Sequence, residues 1–173
     1  SMHRPSYNIP LIISGCGVSL DETPALVSQL DLPNTILSFA GLPLLEGHLT
    51  DSRPLDLKDP SPVHRDAIFL EQEETRAIRT ATHLYVERFK VEGFDGLEPE
   101  LYDLVDDPDE RINIVDKPAL ADVRASLAAQ LHSYFEKVST PKRDLWRGGR
   151  PKSNISHKAF WQTAWGQDWN CGL

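Results

Sequence analysis

Four short runs rich in β-branched and aromatic residues follow one another between residues 67 and 104, and short polar links separate them. They are Ala67–Glu71, Thr75–Thr80, Leu84–Phe89 and Glu100–Leu104. Runs of this length with hairpin-sized links between most of them are typical of antiparallel meanders. This pattern constrains the fold more than any other feature of the 173 residues, and it predicts a small four-stranded antiparallel sheet.

A long helix is predicted directly after these runs, over about residues 118–138. Its apolar residues recur at steps of three and four and form one stripe along the helix. A sheet with one bare apolar face needs a cover, so we expect the helix to pack on the meander and give an α+β fold. The stripe consists of Leu120, Val123, Leu127, Leu131, Tyr134 and Val138.

The segment before the sheet has a different character. Ile9–Ser14 is a continuous apolar run, which favours a strand buried on both faces, as in parallel sheets. A helix is predicted to begin near Asp31 and to end before Gly41. Four prolines then mark an irregular connection to about residue 62. We therefore divide the chain into residues 1–62, residues 63–138 and a tail, residues 139–173.

The tail differs from the body in charge and in aromatic content. It carries six basic and two acidic residues, a net charge of +4, against −12 for the first 138 residues. An acidic body argues against a nucleic-acid partner, and we expect the tail to lie back on it. Spacings of four favour a short amphipathic turn or helix at the end of the tail. All four tryptophans lie here: Trp146, Trp161, Trp165 and Trp169.

No motif for catalysis, cofactor binding or metal binding is present. Nucleophile elbows, phosphate loops and metal-ligand spacings are all missing, and Cys16 and Cys171 fit no metal pattern. The acidic run Asp103–Glu110 favours turn and capping roles over cation binding. Arg76, Arg79 and Arg111 are the best candidates for anion contact, although arginines on strands usually pair with nearby Glu. We assign no catalytic, cofactor-binding or metal-binding residue, and no membrane span, because no apolar run is long enough.

Four blocks of the chain together resemble the sulfatase family. Glu100–Ile114 (ELYDLVDDPDERINI) is similar to the ELYDL..DP.E..NL signature near the C-terminus of sulfatases. Arg76–Thr80 resembles the family's raiRT strand, Ile9–Ile13 its VPLII strand, and Asp31–Pro43 its D..PTLL..AG...P helix. The order and spacing of the blocks match over about residues 5–138. Leu84 and Arg4 stand where the family usually has lysine and glutamate.

The resemblance implies the C-terminal portion of a longer enzyme of the alkaline-phosphatase-like superfamily. It implies a strand and a helix of the large α/β domain, followed by the small antiparallel sheet with its helix. The family's nucleophile, a formylglycine made from a Cys/Ser-x-Pro-x-Arg motif, lies upstream, and neither cysteine here fits that motif. The ligands of its metal, usually calcium, also lie upstream, as does a sulfate-contacting lysine that would fall just before residue 1. The chain alone is therefore expected to be inactive and to hold no cofactor.

Two other readings remain open at this point. The chain is also compatible with a fragment of a related phosphodiesterase or phosphonate monoester hydrolase, because these branches share the C-terminal blocks. The other alternative is a free-standing, non-catalytic module that binds a partner or a glycan. The expected partner is the remainder of the catalytic domain, or a second copy through self-association, unless the tail covers the strand Ile9–Ile13.

Overall fold

An antiparallel meander of four strands lies at the centre of the fold. In the computed structural model the strands are hydrogen-bonded in chain order: β1 (Ala67–Gln72), β2 (Thr75–Thr80), β3 (His83–Arg88) and β4 (Glu100–Asp103). The structure describes residues 2–15, 17–19, 22–45, 51–58, 64–72, 75–88 and 98–139. The four-stranded antiparallel sheet predicted from the sequence is confirmed, with strand boundaries that agree to within one residue.

A helix covers one face of the sheet, as the apolar stripe predicted. A 3₁₀ turn, Pro118–Leu120, leads into helix α3 (Ala121–Val138). Register places Ile78 of β2 opposite Tyr85 of β3, and both side chains point toward α3. Together they form one hydrophobic core with the buried helix residues Leu127, Leu131 and Phe135 and with Leu101, Ile114 and Val115.

The N-terminal residues cover the opposite face of the sheet, which the sequence did not predict. Helix α1 (Arg4–Tyr7) is a single turn, and Met2 just before it is only 5% exposed. Met2 packs with a second set of buried sheet residues: Ala77, Leu84, Val86 and Tyr102. Residues of β2 therefore alternate between two cores, as side chains of a strand covered on both faces must.

The helix predicted from residue 31 is confirmed. Helix α2 spans Asp31–Phe39, and Gly41 follows its end with φ +67°, a left-handed conformation that glycine adopts without steric cost. The backbone N–H of Leu42 donates to the carbonyl of Leu37 at 2.9 Å, which closes the helix in a Schellman-type cap.

The strand predicted over residues 9–14 is not formed in this structure. These residues have no regular secondary structure, and Ile9 and Ile12 are 58% and 87% exposed. A strand exists only where a neighbour accepts and donates its backbone hydrogen bonds, and no other described residue lies alongside this segment as a partner strand. The prediction identified an apolar segment correctly but placed it in a sheet that these residues do not build.

The predictions that the tail lies back on the acidic body and that it ends in a short amphipathic turn or helix concern residues outside the described ranges. Cys16, Cys171 and residues 140–173, with all four tryptophans, belong to this part of the chain. Of the helices in the described ranges, none combines the length and the apolar character that crossing a membrane requires.

Candidate functional site

The three arginines singled out from the sequence do not meet in one site. Arg76 lies on the α3 side of the sheet, where its guanidinium pairs with Glu71 at 2.9 Å and stacks over the ring of Phe135 at 4.0 Å. Arg79 lies on the opposite face of β2, where its charge and a hydrogen bond act on Tyr7. Arg111 pairs with Asp109 in solvent at 2.9 Å. The pairing of a strand arginine with a nearby glutamate is thus confirmed for Arg76.

The acidic run after β4 serves the backbone. Asp103 accepts the N–H groups of Val105 and Asp106, and these two hydrogen bonds lower the pKa of its carboxyl below the usual value. Asp107 accepts the N–H groups of residues 111 and 112 at 2.7 Å each. The capping and turn role predicted for these carboxylates is confirmed.

A calcium ion does not fit the carboxylates of the described residues. No group of three or more His, Cys, Asp or Glu side chains within those ranges is arranged to hold a metal. Carboxylates that accept backbone N–H groups have their oxygens directed at the chain, whereas a calcium site needs six or more oxygens converging on one point.

Glu110 is a buried carboxylate that fixes the N-terminal residues to the sheet. It adopts φ +57°, the one non-glycine residue with positive φ among those the structure describes, and its side chain is fully buried. Its oxygens accept the backbone N–H of Arg4 at 2.6 Å and the hydroxyl of Tyr7. Burial, followed by the hydrogen bond to Glu110, raises the pKa of Tyr7 far above that of a free tyrosine.

A second buried polar cluster holds α2 against the chain that enters β1. Asp31, with no exposed side-chain surface, pairs with the guanidinium of Arg65. It also accepts the N–H of Ser28 and the N–H of Arg53 at 2.8 Å each. Arg65 reaches Asp51 as well, at 2.9 Å. Both carboxylate oxygens of Asp31 therefore have partners inside the protein, and the cluster is structural.

Neither buried cluster could be identified from sequence alone. Each joins residues that lie 34 or more positions apart, and isolated Asp, Glu or Arg residues carry no periodic signal. The positive φ of Glu110 gives no sequence signal either, because glutamate is not enriched at such positions.

The most distinctive surface of the protein is apolar. Nine of the eleven large hydrophobic residues exposed in the described ranges lie between residues 9 and 45, which we call the apolar segment. Soluble monomers rarely expose so many large apolar side chains in one region, and such a region usually marks an interface. The members are Ile9, Leu11, Ile12, Leu30, Ile36, Phe39, Leu42, Leu44 and Leu45.

Comparison with known proteins gives this surface a context. Residues 1–137 match the family model described as N-sulphoglucosamine sulphohydrolase, C-terminal. Arylsulfatase K of Rattus norvegicus is 28% identical over 98% of this chain and 33% of its own length. Arylsulfatase K of Bos taurus is 29% identical over 95% of this chain and 34% of its own length. The chain thus spans about a third of these curated relatives.

Solved structures show the same fold. A structure described as a 2-O GAG sulfatase superposes with a TM-score of 0.59 at 22% identity, over 82% of this chain and 31% of the other. A second comes from work on the metabolism of multiple glycosaminoglycans by Bacteroides thetaiotaomicron. Its TM-score is 0.54 at 26% identity, over 68% of this chain and 27% of the other.

Proposed function

Because the chain belongs to the N-sulphoglucosamine sulphohydrolase C-terminal family, and so is the C-terminal region of a sulfatase, we propose that it completes a longer enzyme that hydrolyses sulfuric esters. In that enzyme residues 1–62 would join the large α/β domain, residues 63–138 would form the small sheet with its helix, and residues 139–173 would follow as a separate tail.

The exposure of the apolar segment is the observation that carries this proposal. Ile36 and Phe39 of α2 are 66% and 51% exposed, and Ile12 is 87% exposed. Fully burying one such side chain is worth about 1.5–3 kcal/mol. Docking of this segment on the upstream two-thirds of the enzyme would recover that free energy. It would also supply the neighbouring strand that residues 9–14 need.

The catalytic groups would come from the upstream part. Sulfuryl transfer develops negative charge that an enzyme stabilises with fixed donors and a cation. The carboxylates discussed above accept backbone N–H groups or pair with arginines instead, so we place the nucleophile and the calcium ligands of the family upstream. Calcium would then be a cofactor of the complete enzyme without a ligand from residues 98–139.

For the substrate class we propose a sulfated saccharide. Two observations support it: the family description names an N-sulphated glucosamine, and the 26%-identical structure comes from work on glycosaminoglycan metabolism. Selection between individual sugars would depend on residues of the upstream part.

An activity assay on two polypeptides tests the proposal. The 173-residue chain is expected to show no turnover of an aryl sulfate, with or without added calcium. The polypeptide extended by its upstream coding sequence should hydrolyse the same compound and should contain a Cys/Ser-x-Pro-x-Arg motif. An upstream sequence without that motif, or activity in the chain alone that one substitution in it abolishes, would refute the proposal.

Substitutions test the docking surface separately. In the extended polypeptide, Ile36→Asp and Phe39→Asp should lower the yield of soluble, active enzyme, because each would bury a carboxylate at the domain contact. Val105→Asp is the matched control, since Val105 is 68% exposed but lies after β4. Equal yields for all three variants would exclude the apolar segment as the contact.

A further inference from the structure

The two edge strands of the sheet, β4 and β1, differ in whether described residues hydrogen-bond to their outer edges. On β4, the amide side chain of Asn113 accepts the N–H of Leu101 at 3.0 Å, and the N–H of Ile114 donates to the Leu101 carbonyl at 2.8 Å. The edge of β4 is thereby closed. On β1, no described residue pairs with the outer edge.

Apart from the charged side chain of Glu71, strand β1 has none of the usual features that block strand addition. All six residues from Ala67 to Gln72 pair with β2 in continuous register, without a bulge. Its sequence, AIFLEQ, contains no lysine, proline or glycine. A regular apolar edge of this kind offers unpaired N–H and C=O groups to another extended segment.

An open groove runs beside β1 on the α3 side. Its volume is about 440 Å³, and its floor includes the rings of Phe69 and Tyr134, stacked 3.8 Å apart. The α3 side of the groove is formed by Ala129, Gln130, Ser133 and Lys137. An added strand could place alternate side chains in this groove, which would give the backbone pairing a side-chain contact.

We propose that the outer edge of β1 and this groove bind an extended segment from residues 140–173 of the same chain. The tail begins where the groove ends, because Lys137 lines the groove and α3 stops at Val138. The tail carries +4, and the acidic residues Asp66 and Glu71 flank the apolar part of β1, Glu71 being already paired with Arg76.

Two patterns overlap in the tail: the spacing of four between Trp161, Trp165 and Trp169, which favours a helical turn, and a partial alternation of polarity over residues 154–165, which favours a half-buried strand. Eight of these twelve positions alternate, with apolar residues at odd positions (Ile155, Ala159, Trp161, Trp165) and polar residues at even ones (Asn154, Ser156, Lys158, Gln162). His157, Phe160, Thr163 and Ala164 break the alternation. The inference goes beyond the proposed function and does not depend on it, since it concerns contacts within these 173 residues.

Photo-crosslinking in the complete 173-residue chain tests the proposal. A benzophenone amino acid is placed at Gln72, an exposed residue at the end of β1, and in a control variant at Asp122, an exposed residue at the start of α3. Gln72 is expected to crosslink to peptides within residues 140–173, and Asp122 is not. A mixture of isotope-labelled and unlabelled chains distinguishes contacts within one chain from contacts between two.

Amide hydrogen exchange supplies the second measurement. Alternate β1 amides should exchange at least about tenfold more slowly in the complete chain than in a chain ending at Ser139. Unchanged protection of β2 and β3 would show that the shorter chain is folded. Crosslinks between copies, crosslinks of the tail to residues 9–14 instead of β1, or fast exchange of every second β1 amide in the complete chain would each overturn the proposal.

Discussion

The guanidinium of Arg65 and the carboxylate of Asp31 form an ion pair that solvent does not reach, with side-chain exposures of 2% and 0%. This ion pair connects helix α2, whose outer surface is apolar, to the segment that leads into β1, because Arg65 lies two residues before that strand. It therefore sets the orientation of the apolar segment relative to the small sheet.

Asp31→Ala should reduce the free energy of unfolding by about 3–5 kcal/mol, because it leaves a buried guanidinium without its main counter-ion. Urea unfolding followed by circular dichroism measures this. Asp109→Ala is the control: it breaks the exposed pair with Arg111, and such pairs contribute about 0–1 kcal/mol. Similar losses in both variants would contradict the structural role assigned to Asp31.

Leu127→Ala should cost about 2–5 kcal/mol, since Leu127 is 5% exposed in the core between α3 and the sheet, and truncation leaves a cavity. Thermal and urea unfolding are both suitable. Val105→Ala removes apolar atoms from a side chain that is 68% exposed, and we expect a change within about 0.5 kcal/mol. A Leu127→Ala protein as stable as the parent would place α3 away from the sheet.

Glu110→Gln should lower the pKa of Tyr7, because it removes the negative charge and the charged acceptor that oppose ionisation of the phenol. The pKa should remain above that of free tyrosine, since burial is the larger cause of its shift. Ultraviolet titration of the phenolate measures the change, with Tyr7→Phe identifying the band. If the titration of Tyr7 did not move, the Tyr7–Glu110 hydrogen bond would be refuted.

Alkaline pH should destabilise the fold between about pH 10 and 12. Burial, aided by Glu87, Glu100 and Asp51 respectively, raises the pKa of Tyr85, Tyr102 and Tyr134 from the ordinary 10.0 to about 12. The stability that depends on the neutral phenols is complete below pH 10. It is lost as pH rises toward 12, because the unfolded chain releases these protons first.

Melting temperatures from pH 8 to pH 12 show this loss directly. Tyr102→Phe should reduce the slope over that range, because one of the four tyrosines with a raised pKa, counting Tyr7, is gone. A melting temperature that stayed constant to pH 12 in the parent chain would show that these phenols are in water.

Local patterns were sufficient to predict most of the regular elements. The stripe from Leu120 to Val138 has a period set by the helix itself, and the stop at Gly41 depends on one conformation that glycine favours. The apolar run at residues 9–14 was equally clear as a pattern. Whether it becomes a strand depends on a neighbour, which a local pattern cannot report.

The buried ion pairs and the covering of the second sheet face depend on long-range contacts. Met2 contacts the sheet residue Tyr102, and Arg65 contacts Asp31, only because the complete fold brings these distant parts of the chain together. Single residues of common type give no spacing from which such contacts follow. The sequence alone shows that it contains no catalytic motif. The concentration of exposed apolar residues can be recognised only once the structure gives the exposed fraction of each side chain.

The small sheet lies between Met2–Tyr7 on one face and α3 on the other, so its two covers come from opposite ends of the described chain. On a ribosome, which releases residues in order from the N-terminus, the four strands emerge before the helix that buries Ile78 and Tyr85. Contacts so distant along the chain slow folding. During that interval the meander is an unfinished intermediate with a bare apolar face, a state prone to aggregation. We therefore expect the order in which this sheet receives its covers to increase its need for chaperones during synthesis.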